Sequence, residues 1–469
     1  MTRQSKLFRW SIFYALILAV APPVSAQWNE QVLYSFQGLP DGATPVGGMV
    51  FDKQGNLYGA TSEGGSSACA GAGQCGTVFQ LAPPAKQGDP WTETVLYVFK
   101  GRTYGDGGTP AGGLIIDASG NLYGTTAYNG TGTCTLLGSV VGCGTVYELS
   151  PPAQPSGAWT ESVLYSFKDL TDGYFPQGDL VFDSAGNLYG ATQFGGGKGT
   201  NCNSLYGYCG TVFELSPPNS EGDSWTENVL HSFAGATEAS ATGDGAAPNG
   251  GLVLDSEGNI YGTTYYGGSV IGLCDGGVGG TGCGTVFELT PPIGMGGEWG
   301  GTTLYRFRSN PDGGNPDGGV VLDEMGNLYG TTVGGGDNGN GTIFELEHPP
   351  EGSKPWTEKL LYRFTGENDG AQPRAGVTLG PKGQIYGTAS SKGAFRAGDL
   401  FTMISDSAIW ENVWAAAVLY SFTGHSNGFY PDAKLVFDRS GSLYSTTLYG
   451  GAGQNCGTDG CGTIFRATP

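Results

Sequence analysis

The chain has 469 residues, 87 of them Gly, and sets 21 Lys and Arg against 42 Asp and Glu for a formal net charge of −21. So acidic a chain repels phosphate backbones and anionic lipid head groups, which argues against nucleic acid and bare membrane as partners. Glycine far above the usual share of about 7% would suggest low complexity if it were scattered; here it recurs at fixed offsets and marks turns and bulges.

The chain opens with a basic stretch (Arg3, Lys6, Arg9), an apolar run from Trp10 to Ala21 and a small-residue cleavage site, Val24-Ser25-Ala26. That order reads as a secretory signal peptide over residues 1–26, too short and wrongly flanked for a membrane anchor. The expected mature protein is a single domain over residues 27–469, without a transmembrane anchor, secreted or extracellular. The periplasm is the alternative address.

From there one unit recurs seven times: a short strand ending in Asp, a turn, then Gly-Asn-Leu-Tyr-Gly or a close variant. Its tyrosines are Tyr58, Tyr123, Tyr189, Tyr261, Tyr329, Tyr386 and Tyr444. In the second copy, Gly113 to Asp117 is an apolar run ended by the turn Asp117-Ala-Ser-Gly120, and Asn121 to Thr126 is the next strand. Gly144 to Leu149 is the third strand, Pro151-Pro152 forces a connection, and Trp159 to Phe167 is the fourth. Every segment is β-branched or aromatic, and no helical period of useful length occurs. A unit of this size must stack on its neighbours to bury its apolar residues. Four strands in each of seven units predict an all-β fold, a seven-bladed β-propeller with four-stranded blades.

The ten cysteines fall as local pairs between the second and third strands: Cys69/Cys75, Cys134/Cys143, Cys202/Cys209, Cys274/Cys283 and Cys456/Cys461. An even count at equivalent positions of an exported chain reads as disulfides closing loops. Two cysteines per loop and three scattered histidines do not supply a zinc site. The fourth copy lengthens two loops, Ala234–Pro248 and Gly267–Cys283, and the sixth replaces the turn Asp by Gly380-Pro-Lys-Gly383 and carries Lys392 and Arg396 in the loop Ser390–Gly398. That basic loop reads as decay of the repeat or as a surface for an anionic partner.

The phase of the repeat predicts how the ring closes. The chain after the leader begins with a fourth strand, Trp28 to Phe36, and ends on a third strand, Gly462 to Arg466. The first segment is expected to complete the last blade, because an open ring would expose an apolar edge.

The succession Leu-Tyr-x-Phe, Asp-Gly-x-x-Pro, Gly-Gly-Leu-x-x-Asp, Gly-Asn-Leu-Tyr-Gly and Gly-Thr-Val-Phe resembles the GloVer-type tandem repeat of secreted bacterial proteins, over essentially the whole chain after the leader. The resemblance implies an exported bacterial repeat protein and brings no catalytic residues with it.

Candidate chemistry lies where groups converge. The turn aspartates (Asp52, Asp117, Asp183, Asp255, Asp323, Asp438) look like half a calcium loop, but turn chemistry accounts for them. The periodic tryptophans Trp28, Trp91, Trp159, Trp225, Trp299, Trp356 and Trp414 are expected to pack between blades. The inner strands read as aliphatic, so no catalytic set is assigned. The Asp-Gly-x-x-Pro loops supply the candidate binding residues, Asp41, Asp106, Asp172, Asp244, Asp312, Asp369 and Asn427, expected to ring the tunnel mouth. Locally each would cap its own turn; together they would suit a hard cation such as calcium or a cationic ligand. No other cofactor is expected.

The functional expectation is a monomeric binding or interaction module for an extracellular glycan or protein. The alternatives are a polysaccharide- or ester-directed lyase or hydrolase in the tunnel, and a structural surface component.

Overall fold

The computed structural model describes residues 28–469 except 66–74, 87, 137–138, 155–156, 169–170, 198–208, 221, 238–239, 269–273, 275–281, 295, 351–354, 406–413 and 454. The leader expected over residues 1–26 lies outside the described residues. Among those described there is no α-helix, only strands and one short 3-10 turn, His425–Asn427, and no helix is long and apolar enough to cross a membrane.

Seven antiparallel sheets form the seven blades. The first comprises Ala43–Phe51, Leu57–Glu63, Thr77–Ala82 and Thr92–Val98, from inner to outer strand, and later copies repeat that order. The seventh blade takes three strands from the end of the chain, Val436–Phe437, Leu443–Thr447 and Thr463–Thr468, and its outer strand from the start, Asn29–Ser35. The pairing runs from Asn29 opposite Thr468 to Ser35 opposite Thr463. The closure expected from the repeat's phase is the one observed.

Blades hold each other through aromatic steps at equivalent positions. The Phe ending one outer strand meets the aromatic residue of the next blade's third strand edge-on: Phe36 on Phe79, Phe99 on Tyr147 and Phe167 on Phe213, with centroids 5.0–5.2 Å apart. All six of these rings are buried, five of them Phe. Edge-to-face pairs of this kind add about 0.5–1.5 kcal/mol each beyond their buried area. On the far side each Trp packs on the second-strand Tyr of the preceding blade, as in Trp159 on Tyr58 and Trp299 on Tyr189. In every blade but the sixth that same Tyr hydroxyl donates to its own turn Asp, whose other oxygen accepts two backbone N–H groups; Asp52 accepts from Gln54, Asn56 and Tyr58 in this way. The turn aspartates are thereby used up as turn residues.

Three of the expected disulfides, Cys134–Cys143, Cys274–Cys283 and Cys456–Cys461, are present. Cys75 and Cys209 are also disulfide-bonded, while Cys69 and Cys202 lie outside the described residues.

A third junction uses carboxylates. The Tyr of each outer strand donates to the Asp of the loop that follows: Tyr34 to Asp41 at 2.6 Å, Tyr97 to Asp106 at 2.7 Å and Tyr165 to Asp172 at 2.7 Å. His231 meets Asp244, Tyr305 meets Asp312, Tyr362 meets Asp369, and Asn427 donates to Tyr420. Each of these loop side chains also accepts a nearby backbone N–H, for example Gln37 on Asp41 and Lys100 on Asp106. A glutamate from the next blade's outer strand approaches the same hydroxyl; Glu161 Oε2 is 3.5 Å from Tyr97 Oη. A hydroxyl that donates to Asp106 has only lone pairs to offer Glu161, so that carboxyl is suited to the protonated form. Burial, then the Asp charge, pushes Glu93, Glu161, Glu227 and Glu358 up to about 7. Where His231 replaces the Tyr, the position of the Glu is Gly301, and a Cβ there would sit 3.1 Å from the imidazole. The imidazole, as it is placed here, takes the glutamate's room.

The sixth blade departs from the rest inside the sheet. In the other six, a second-strand Thr hydroxyl pairs with a third-strand Thr hydroxyl at 2.7–2.9 Å, as Thr61 with Thr77 and Thr192 with Thr211. In the sixth the facing residues are Ala389 and Asp399. Asp399 is wholly buried, neither oxygen makes a well-formed hydrogen bond, and burial pushes its carboxyl up to about 6.

Three outcomes are expected from this architecture. Deleting residues 28–35 should give insoluble protein, because the Thr463–Thr468 strand would be left as an open apolar edge; size-exclusion chromatography checks this. Ala389→Thr/Asp399→Thr should restore the hydroxyl pair and raise the Tm by on the order of 2–5 °C, read by calorimetry, since it removes an unsatisfied buried carboxyl. The four junction glutamates bind protons more tightly folded than unfolded, so their contribution is complete below the unfolded value of 4.5 and is lost as pH rises through about 7. The Tm should fall between pH 5 and pH 8, and replacing Glu93, Glu161, Glu227 and Glu358 by Gln should flatten that slope.

Candidate functional site

The inner strand of each blade is interrupted where the sequence reads Pro-x-Gly or Pro-x-Ala. In the first and third blades the register breaks between Val46 and Val50 and between Gln177 and Val181. Glycine is required at the break: Gly47 has φ +63°, and a Cβ there would lie 2.1 Å from the backbone N of Gly113 in the next blade. Adjacent inner strands therefore touch backbone to backbone, and the residue after each Pro turns into the central tunnel.

Those residues are Val46, Ala111, Gln177, Asn249, Asp317, Arg374 and Asp432, and all seven line a cavity of about 700 Å3. A second ring, two residues on, is Gly except for Asp179 and Lys434, which line the same cavity. The inner strands are thus not purely aliphatic where they meet the tunnel. The sequence reading took the run Gly-Leu-x-x-Asp as the inner strand and overlooked the residue after Pro, which the bulge turns inward.

The lining is lopsided. Val46 and Ala111 face a polar arc over blades three to seven, in which Asn249 Nδ2 donates to Asp317 Oδ1 at 3.1 Å and Arg374 Nη1 donates to Asp317 Oδ2 at 2.7 Å. Asp432 accepts from the Ser390 hydroxyl at 3.2 Å. Burial, reinforced by the Asp317 charge and opposed by Arg374, pushes Asp432 up to about 7. Burial works against the charge of Arg374, yet Asp317 and Asp432 hold its pKa above the ordinary value.

The mouth on one face is framed by the residue before each Pro. Thr44, Thr109, Phe175, Ala247, Asn315, Gln372 and Tyr430 all have φ between 54° and 61°, although none is Gly. The cause is a bond across each blade junction, for instance Thr44 N–H to the Cys461 carbonyl and Gln372 N–H to the Asn340 carbonyl. Aromatic rings gather at this rim: Tyr265 with Tyr266 at 4.7 Å, and Tyr449 with Phe429 and Tyr430 at 5.3 and 6.0 Å. Burial and then Asp317 raise the Tyr265 pKa, and Asp432 is among the charges that raise that of Tyr449.

Asp41, Asp106, Asp172, Asp244, Asp312, Asp369 and Asn427 do not line this cavity. Each sits at a blade junction against the outer-strand Tyr or His, because the chain has only begun its crossing from the outer strand of one blade to the inner strand of the next. Among the described residues no three His, Cys, Asp or Glu side chains gather as a metal-holding group. The cysteine loops do share the face of these loops: a Cβ on Gly38 would lie 3.1 Å from Cys456 Sγ. The signal that could have found the tunnel residues was in the chain. The residue after the Pro present in every copy takes six identities in seven copies, while the next is always Gly or Ala.

Solved structures match the chain over most of its length and share little of its sequence. A carbohydrate-active enzyme of family AA12 from Trichoderma reesei, in a calcium structure, is 13% identical over 95% of this chain and 96% of its own, with a TM-score of 0.41. The PQQ domain of a pyranose dehydrogenase from Coprinopsis cinerea is 13% identical over 94% and 98%, with a TM-score of 0.41. A protein of unknown function from Dyadobacter fermentans is 11% identical over 94% and 98%, with a TM-score of 0.43. No functionally curated protein matches the chain. The sequence pattern of one family does match, over residues 21–273 and 268–469, and so takes in all seven blades: the chain belongs to the Gloeobacter/Verrucomicrobia repeat family.

Proposed function

We propose that this propeller is an exported ligand-binding module whose site is the central tunnel and whose ligand is an extracellular saccharide. The observation that carries the reading is the broken symmetry of the tunnel. The aromatic steps, turns and Thr pairs repeat nearly unchanged around the ring, whereas the residue after Pro runs from Val46 and Ala111 to Asn249, Asp317, Arg374 and Asp432. Fold maintenance explains what repeats and gives no reason for an arc of hydrogen-bonded amide, carboxylates and guanidinium that leaves out the first two blades. Planar polar groups converging in a cavity of about 700 Å3, with tyrosines at the rim, suit a hydroxyl-rich ring that offers both polar edges and C–H faces. Export rests on the leader read at Met1–Ala26 and on the disulfides.

A second reading is favoured by one observation. Asp432, with its carboxyl near neutrality, stands beside Asp317, which is paired with Arg374; two carboxyls in different environments can divide acid and base roles. That reading makes the tunnel a lyase or hydrolase site.

Calorimetric titration against a saccharide panel tests the first reading. We expect Asn249→Ala, and the charge-neutral pair Asp317→Asn/Arg374→Gln, each to weaken binding about tenfold or more, equivalent to about 1.4 kcal/mol. Unchanged affinity in both would remove the tunnel as the site, and turnover of a polymer by the native protein would favour the second reading.

A further inference from the structure

We infer that the tunnel recognises an ammonium group, so that its saccharide ligand is an amino sugar with a free amine; this rests on the tunnel being a saccharide site. The carboxylates of the cavity are not equally served. Asp317 is bonded to both Arg374 and Asn249, which satisfies one oxygen each. Asp179 accepts the Gly113 N–H at 2.7 Å. Asp432 lines the same cavity, half-buried, is in none of the ion pairs among the described residues, and holds one neutral partner, the Ser390 hydroxyl. Arg374 acts on it as a charge without forming an ion pair with it, and Lys434, two residues on, is exposed and is not among the charges that act on it.

A partly buried carboxyl with no ion-paired cation is a costly arrangement unless something neutralises it. The raised pKa of Asp432 shows the cost, and a ligand cation would reverse it. The surroundings favour an organic cation over a metal. Arg374 already occupies the space between the carboxylates of blades five and seven, and a divalent ion would have to sit beside it. Tyr449 and Tyr265 stand at the rim within electrostatic reach of Asp432 and Asp317, and a ring face next to a carboxylate is a pairing that holds ammonium groups. The acidic chain as a whole draws cations towards the mouth and penalises uronic acids and phosphorylated sugars.

The chemistry separates three β-1,4-linked probes of one length: a glucosamine tetramer, its fully N-acetylated form and cellotetraose. At pH 7 and low salt the glucosamine tetramer should bind at least tenfold more tightly than either neutral probe. Asp432→Asn, whose melting curve is recorded alongside, should abolish that preference. Tyr449→Leu, at the rim and outside the charged network, should weaken the glucosamine tetramer severalfold. Neutral probes that bind as tightly as the amine would overturn the ammonium inference and leave the saccharide reading standing. Preference for the amine that survives Asp432→Asn would also overturn it. Failure of all three probes would end the inference, and the wider saccharide panel would then decide the tunnel reading by itself.

Discussion

The structure depends on the contact between neighbouring blades, above all the buried aromatic step from the end of one outer strand onto the third strand of the next blade. A four-stranded sheet of this size has two apolar faces and cannot cover either alone. Phe36 on Phe79, Phe307 on Phe344 and Phe422 on Phe465 repeat the same edge-on geometry around the ring. Each core cluster joins residues of adjacent blades, as when Phe99, Leu114, Leu122 and Tyr147 pack with Tyr58 and Val78. The hydrophobic core is therefore a closed chain of junctions with no single centre, and closure by Asn29–Ser35 removes the last open face.

The inner side of the ring follows from that packing. Seven blades held at fixed spacing bring their inner strands so close that Gly47, Gly112, Gly250 and Gly318 face backbone atoms of the neighbouring blade within 2.0–2.3 Å of an added Cβ. The scaffold accepts no side chain at these four positions, and in the sixth and seventh blades the equivalent residues are no larger than Ala375 and Ala433. The residue between Pro and Gly escapes this constraint because the bulge turns it towards open space, so it is free to differ from blade to blade. The same geometry that compels glycine at one position leaves its neighbour available for chemistry.

The outer junctions answer to a different constraint. The Tyr–Asp pairs anchor the crossing between blades, and the glutamate of the next outer strand covers them from solvent. Their cost is a carboxyl kept near neutrality, and the departures inside the chain respect that balance. Gly301 replaces the glutamate where His231 needs the room, and Asn427 replaces the aspartate opposite Glu30 and Tyr420, where a second charge would add to the repulsion.

The sequence by itself determined the repeat, the four strands of each unit, the number of blades and the strand that closes the ring. These are written in local patterns: β-branched alternation, Asp-x-x-Gly turns, Pro-Pro breaks and the phase of the first and last segments. It also placed the tryptophans between blades and the cysteines in pairs, since equivalent positions in every copy must meet equivalent neighbours. Which side chains share the tunnel was decided only by the tertiary structure. Asn249, Asp317, Arg374 and Asp432 are dozens of residues apart, and nothing local says that the residue after Pro points inward; the bulge that turns it exists because adjacent inner strands touch. Asp41 and its equivalents show the converse. Their spacing suggested a ring at the mouth, but the length of chain between an outer strand and the next inner strand sets them at the junctions, where the outer-strand tyrosines hold them.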